Sequence, residues 1–338
     1  MKRLRLGILS AANIAQRAFI PAALRSDKVE VTAIASASDK GRVFLEQTEL
    51  KTHSGKPLRD VVRLYHSYDE MLADPEVDAV YIGLPNHLHK EWSIRSALAG
   101  KHVLCEKPAS LNEGDTNEII DTCNRAGVVW MEAFMYRFHP QYETVRNWIR
   151  QGTIGKVKTV RSTFTFVLGN SNDVRWVKDY GGGSLYDVGC YCINVSQYLL
   201  GRPPVAVSGM LVNSGAGVDD DFLGLMDYGD GQTALFHSSF RQSPRDEVDV
   251  VGTQGSIRIP KAFVPGTADA ELVLSTEAGV ERFVVPGTDQ YLRQVDAFAD
   301  YVFTERKPDV MTHAETVMNM RTIEALLKSA CEQKTVSL

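Results

Sequence analysis

Three side chains in this sequence of 338 residues are of types that can move a proton together: Lys107, Asp187 and Tyr191. Lys107 stands in HVLCEKPAS, His102 to Ser110. There the apolar run Val103, Leu104 and Cys105 gives way at once to a carboxylate, Glu106, an amine and a proline that cannot extend a ladder. Asp187 and Tyr191 lie in DYGGGSLYDVGCYCINVSQYLLG. They are four residues apart, so a helix projects both from one face. An ammonium beside a phenol favours the phenolate and draws its pKa from about 10 toward neutrality. Such a phenol can give a proton to a carbonyl as a hydride arrives, or take one from an alcohol as a hydride leaves. Asp187 would orient hydroxyls or tune the pair. Each residue also has a plain reading: a strand end meeting water, a polar helix position, a core ring with a satisfied hydroxyl.

These groups need a scaffold, and the first half of the chain supplies the pattern of one. RLRLGIL, VEVTAIAS, DAVYIGLP, KHVLCEKP and VVWMEAF read as apolar strands. Helical stretches run from about Ile14 to Leu24, from Lys40, from His87 to Ala99 and from Leu111 to Arg125. Strands buried on both faces, alternating with helices of about 10–15 residues, predict a doubly wound parallel sheet. Ala99-Gly100 and Ala126-Gly127 sit where helices should stop. After about residue 150 the rhythm becomes that of alternating strands joined by turns such as Gly229-Asp230-Gly231. Helices of about Gly183–Leu200 and Ala314–Glu332 interrupt and end it. The expected fold class is α/β. A Rossmann dinucleotide-binding domain over 1–128 is followed by an α+β substrate-binding and oligomerisation domain over 129–338, with a large open, mostly antiparallel sheet. The crevice joining two such domains is the expected site.

The turn after the first strand, GILSAANIA, has Ser10, Ala12 and Ala15 where a G-x-G-x-x-G fingerprint has glycines. All three are small, so the backbone there, with Asn13 and Ile14 opening the helix, can still approach a pyrophosphate. The alternative is a tight turn with no ligand. At the end of the second strand Ser36 and Ser38 stand where a carboxylate would hold ribose hydroxyls, and Lys40 and Arg42 follow. Hydroxyls and cations suit a 2′-phosphate, which favours NADP over NAD; Asp39 keeps NAD as the alternative. Leu84, Pro85, Asn86 and His87 end a further strand at the same edge, as do Glu106 and Lys107, where the nicotinamide end would reach.

Composition narrows the class. Net charge is −5, hydrophobic residues are 44% and charged residues 23%. No global positive field recruits nucleic acid, and no apolar run of about 18 residues predicts a membrane span. Five irregularly spaced cysteines fit a reducing, cytoplasmic setting, and C-x-C at Cys190 and Cys192 lacks the partners of a metal site.

Taken together, GILSAANIA, GLPNHLH, EKPAS, EAFMYRFHP and GGGSLYDVGCYCI resemble the Gfo/Idh/MocA oxidoreductases over nearly the whole chain. Within that family they look like the branch of glucose–fructose oxidoreductase, dimeric dihydrodiol dehydrogenase and xylose dehydrogenase. The resemblance implies a nicotinamide cofactor, hydride transfer to or from a sugar, polyol or cyclic diol, and a homodimer or homotetramer. It places the E-K-P lysine on Lys107 and the family aspartate on Asp187. Where many members have histidine this chain has Tyr191. Arg137, His139, Arg175 and Trp176 become candidate substrate residues. Ala37 departs from the arginine common in NADP-using members, and Ser10 from a frequent glycine. Phe164, Phe166 and Trp176 could stack on a pyranose or serve as core or dimer contacts. Other readings on this scaffold are a sugar- and dinucleotide-binding regulator without turnover, a lyase or glycosidase that oxidises transiently with bound NAD, and an amine-handling or biliverdin-type reductase.

Overall fold

The computed structural model describes residues 2–213, 217–304 and 311–338. They form two compact units that the chain visits in turn. The first comprises Met1–Ser110, Gly114–Phe138 and Asp289–His313; the second comprises Leu111–Glu113, His139–Thr288 and Ala314–Leu338.

The first unit is built on six strands: β1 (Leu4–Leu9), β2 (Val29–Ala35), β3 (Arg63–Tyr65), β4 (Ala79–Ile82), β5 (His102–Glu106) and β6 (Trp130–Ala133). Their order is β3-β2-β1-β4-β5-β6, and every pair is parallel. β3 is three residues long and partly exposed, too short a pattern to predict. The strand order reverses between β1 and β4, where such sheets bind dinucleotides. β6 pairs with β5, so the sheet extends past residue 128.

The helices, in chain order, are α1 (Ile20–Ala23), α2 (Lys40–Gln47), α3 (Tyr68–Leu72), α4 (His89–Leu98), α5 (Glu113–Ala126), α6 (Pro140–Arg150), α7 (Cys190–Leu200), α8 (Gln290–Thr304) and α9 (His313–Glu332). A π-helical turn, Ala15–Phe19, precedes α1, and another, Leu185–Gly189, precedes α7. α6 and α8 were not expected from the sequence. α8 follows a long run of strands, yet it returns to the first unit. Its Val295, Phe298 and Ala299 join Leu6, Ile8, Phe19, Val31, Ile34 and Leu104 in one buried cluster. Burial of each large apolar side chain is worth about 1.5–3 kcal/mol, so this return is part of the core.

The second unit carries nine strands: β7 (Val157–Val167), β8 (Ala206–Asn213), β9 (Asp219–Asp227), β10 (Thr233–Ser239), β11 (Arg241–Gly252), β12 (Gly255–Ile259), β13 (Ala270–Thr276), β14 (Gly279–Val285) and β15 (Val336–Ser337). Their order is β14-β13-β12-β11-β7-β10-β9-β8-β15. All pairs whose register is resolved are antiparallel except β10 with β7. Along β9 the side chains alternate as a half-covered sheet demands: Phe222 and Met226 are buried, whereas Leu223 and Leu225 are exposed.

Among the described residues no helix is long and apolar enough to cross a membrane. No group of three or more His, Cys, Asp or Glu among them could hold a metal ion. None of the five cysteines, all among the described residues, is joined in a disulfide.

Candidate active site

The strand register places the candidate cofactor loops on one edge of the first sheet. Leu9 sits level with Ala35 on one side and Ile82 on the other, and Ile82 is level with Cys105. The turns after β1, β2, β4 and β5 therefore leave from adjacent carboxyl ends. β1 runs into Ser10, whose N–H donates to the Ala35 carbonyl at 2.9 Å and whose φ is +81°. That is left-handed backbone, which glycine adopts freely and serine does not. This position is where the dinucleotide fingerprint expects its glycine, so the strained serine marks the same turn. Ser10→Gly is expected to raise stability by about 1 kcal/mol, read as a higher denaturation midpoint; an unchanged midpoint would count against strain at Ser10. Ala12 follows in the turn, then Asn13 and the 36% exposed Ile14 at the helix start.

At the end of β2 the candidates divide. Ser36 is buried and occupied in shaping the turn: its hydroxyl donates to the Ser38 carbonyl at 2.8 Å and accepts from the Gly41 N–H at 3.3 Å. The Ser38 hydroxyl faces the Lys40 N–H at 3.5 Å. Arg42 is paired with Glu46 at 3.0 Å and Asp39 at 3.4 Å. Lys40 is exposed and makes no ion pair among the described residues. Its side chain lines a groove of about 430 Å³ with Asn13, Gln16, Asp39 and Phe44.

The loop that carries Lys107 is held from three neighbouring elements. Tyr81 of β4 donates its hydroxyl to Glu106 Oε1 at 2.7 Å. Glu132 of β6 accepts the Ala109 N–H at 2.8 Å. His89, the first residue of α4, places Nδ1 at 2.7 Å from the Pro108 carbonyl and Nε2 at 2.8 Å from the Leu84 carbonyl. It thereby ties the GLPNHLH turn to the E-K-P turn. Burial pushes its pKa down to about 4, against the pull of the two carbonyls, which favour the protonated ring. Leu84 is buried; Pro85, Asn86 and His87 are half-buried, and burial lowers the His87 pKa. Lys107 is half-buried, and the peptide joining it to Pro108 is cis.

In the second unit the glycine run sets up the helix that bears Asp187 and Tyr191. Gly181 closes a 3₁₀ turn at φ +72°. A Cβ on Gly182 would lie 2.5 Å from the Arg175 carbonyl. Gly183 has φ +112°, and a Cβ there would lie 2.2 Å from Asp219 Oδ1. The space is needed because Asp219, from β9, caps the helix: its Oδ2 accepts the Ser184 hydroxyl and the Leu185 N–H, each at 2.8 Å. Burial raises the Asp219 pKa to about 6.

Asp187 lies in the π-helical turn and accepts Arg175 Nε at 2.7 Å. Arg175 also donates to Asp173 at 3.1 Å. Asp187 above all, then Asp173, keeps the guanidinium pKa above its ordinary value against the lowering effect of partial burial. Tyr191, 5% exposed, has its ring centred 5.4 Å from both Phe164 and Phe263, which stack on each other at 5.1 Å.

The remaining candidates have defined places. Arg137 is buried at the end of the first unit's 3₁₀ turn, Met135–Phe138. His139 is buried and caps α6, its Nδ1 accepting the Gln141 N–H at 3.3 Å. Trp176 donates its indole N–H to the Asn170 carbonyl at 3.0 Å and packs edge-on against Phe240. Phe166 also faces Phe240. Phe164 is a wall for Tyr191. Tyr81, His89, Glu132 and Asp219 were not singled out from the sequence. The only signal was that Tyr81, His89 and Glu132 lie in or beside the motifs; Asp219 had none.

Two family models match the chain. One, described as an oxidoreductase family with an NAD-binding Rossmann fold, covers residues 4–134. The other, the GFO/IDH/MocA C-terminal domain, covers residues 142–258. A D-xylose 1-dehydrogenase (NADP(+)) from Haloferax volcanii is 39% identical over 326 residues, 96% of either chain. A 3-ketoreductase from Actinomadura kijaniata, solved with NADP and TDP-benzene, superposes with a TM-score of 0.89 at 27% identity, covering 97% of this chain and 98% of its own. An aldose-aldose oxidoreductase from Caulobacter crescentus, complexed with glycerol, gives a TM-score of 0.88 at 27% identity over 100% of both chains. Further structures of the ketoreductase have one lysine replaced by alanine or glutamate, or one tyrosine by phenylalanine. Those two positions are separated by the same interval as Lys107 and Tyr191.

Proposed function

Because the chain belongs to the GFO/IDH/MocA family of oxidoreductases, we propose that it transfers hydride between NADP and a sugar, polyol or cyclic diol, with Lys107 and Tyr191 handling the proton. The single observation that carries the substrate class and the cofactor is the likeness to the xylose dehydrogenase over 96% of both chains. The reversed strand order between β1 and β4, the small-residue turn with its left-handed Ser10 and the aligned strand ends fit a dinucleotide. When bound, the nicotinamide supplies or accepts the hydride.

The chain's own residues do the rest. Ser10, Ala12, Asn13 and Ile14 would face the pyrophosphate. Leu84, Pro85, Asn86, His87 and Glu106 would line the path toward the nicotinamide. The Lys107 ammonium favours the Tyr191 phenolate, so the phenol exchanges a proton with the substrate oxygen near neutral pH. Asp187, ion-paired to Arg175, accepts hydrogen bonds from substrate hydroxyls. Arg175 thus reaches the substrate's surroundings through Asp187; Arg137, His139 and Trp176 are the remaining substrate candidates. Incubation with NADP⁺ and a panel of aldoses, inositols and dihydrodiols tests the reading. It predicts a net rise in nicotinamide absorbance. A regulator would bind and change nothing, and a lyase would form product without net reduction.

Lys40 is the cation for the 2′-phosphate in this reading, since Arg42 is held by Glu46 and Asp39. Lys40→Ala is expected to weaken NADPH binding about tenfold while sparing NADH, and Arg42→Ala to do less. Equal losses for both cofactors would remove the assignment.

The exposed sheet face favours self-association as a homodimer or homotetramer. Met210, Val212, Leu223, Leu225 and Leu235 are each 40–55% exposed. Pairing brings Met210 beside Leu223 and Leu225 beside Leu235. A contiguous apolar patch of this kind on a sheet marks an interface. Sedimentation of a monomer at micromolar concentration would rule it out. Cysteines without disulfides suit a cytoplasmic setting.

A further inference from the structure

We propose that Tyr81 is a positioning residue for the cofactor, fixing the Glu106 carboxylate with its hydroxyl while its ring rests on the helix that follows the phosphate turn. The inference rests on the reading of Glu106 as a cofactor-binding residue and deepens it.

Tyr81 lies on β4, is fully buried and has two distinct contacts. Its Oη–H donates to Glu106 Oε1 at 2.7 Å. Glu106 Oε2 in turn accepts the Lys107 N–H at 3.3 Å. The carboxylate is held at both oxygens, so its direction is set. The Tyr81 ring stacks on Phe19 with centroids 3.6 Å apart and planes 10° from parallel. Phe19 closes the π-helical turn that follows the phosphate loop. Gly83 leaves the ring its room, because a Cβ there would come within 3.0 Å of it. One side chain therefore joins the turn after β1 to the turn after β5, the two loops that would face opposite ends of a dinucleotide.

The hydroxyl is not explained by packing. A phenylalanine would fill the same volume without the desolvation of a buried hydroxyl, which is tolerated only because it is bonded. Burial, first, and the nearby carboxylate hold the phenol pKa well above 10, so Tyr81 remains the donor across the working pH range.

Tyr81→Phe keeps the ring and its stack and removes only the donor. NADPH is titrated by fluorescence into the full-length wild type, Y81F, E106Q and the double variant, with thermal unfolding of each as a folding check. Y81F is expected to weaken NADPH about tenfold at an unchanged melting point. The double variant should bind no more weakly than E106Q, because the hydroxyl acts only through that carboxylate. Wild-type affinity in Y81F with weakened E106Q overturns the proposal and leaves the reading of Glu106 standing. Additive losses overturn it as well. Wild-type affinity in E106Q removes the reading and the proposal with it. Should Y81F not fold, Y81L and Y81L/E106Q are compared instead: with the hydroxyl gone, E106Q is expected to weaken NADPH less than it does in the wild type, and an equal loss overturns the proposal.

Discussion

Replacing Tyr191 with phenylalanine is expected to lower kcat by about 10²–10⁴-fold, the range over which positioned acid–base groups act. The ring keeps its neighbours Phe164 and Phe263, so only the hydroxyl is lost. The cofactor elements lie in the other compact unit, so NADPH affinity and the melting point should stay within error. Kinetics with saturating cofactor and a fluorescence titration separate the two effects. A loss confined to KM would make Tyr191 a binding residue; undiminished kcat would remove it from the chemistry.

The second large effect is expected at Gly183. Gly183→Ala must place a Cβ 2.2 Å from the Asp219 carboxylate at a φ of +112°. Left-handed strain and overpacking together put the loss at about 3 kcal/mol. The damage lands on the cap of the helix that bears Asp187 and Tyr191, so kcat should fall with stability. Asp219→Asn is the informative companion. It keeps an oxygen acceptor for Ser184 and Leu185 but removes the buried charge. A folded pKa of about 6, above the ordinary carboxylate value of about 4, means that the Asp219 contribution to stability is full below about 4 and is lost as pH rises through 6. The variant should therefore gain on the wild type above pH 6 and draw level in acid. Denaturation midpoints at both pH values check this, and a difference that does not vary with pH would falsify the role of the charge.

The parallel sheet could be read from the sequence because its strands are continuous apolar runs with helical spacing between them. Lys107, Asp187 and Tyr191 could be picked out as candidates because their types and motifs suggest that chemistry. Tyr81, Glu132 and Asp219 could not, since each is defined by a partner distant in the chain. The ion pairs of Arg42 and Arg175 escaped notice for a related reason. A cation looks available until its carboxylate is located, although Arg42 and Glu46 already stood four apart, the spacing of a helical ion pair. The glycine slot filled by Ser10 was visible as a departure, but its left-handed backbone was not.

The return of α8 to the first unit has a practical consequence for dissecting the protein. Expression of the segment up to Phe138 alone would strip Val295, Phe298 and Ala299 from the cluster around Phe19 and leave a greasy seat open to solvent. A soluble nucleotide-binding fragment has to be stitched from separated stretches of chain, with Asp289–His313 grafted behind Phe138.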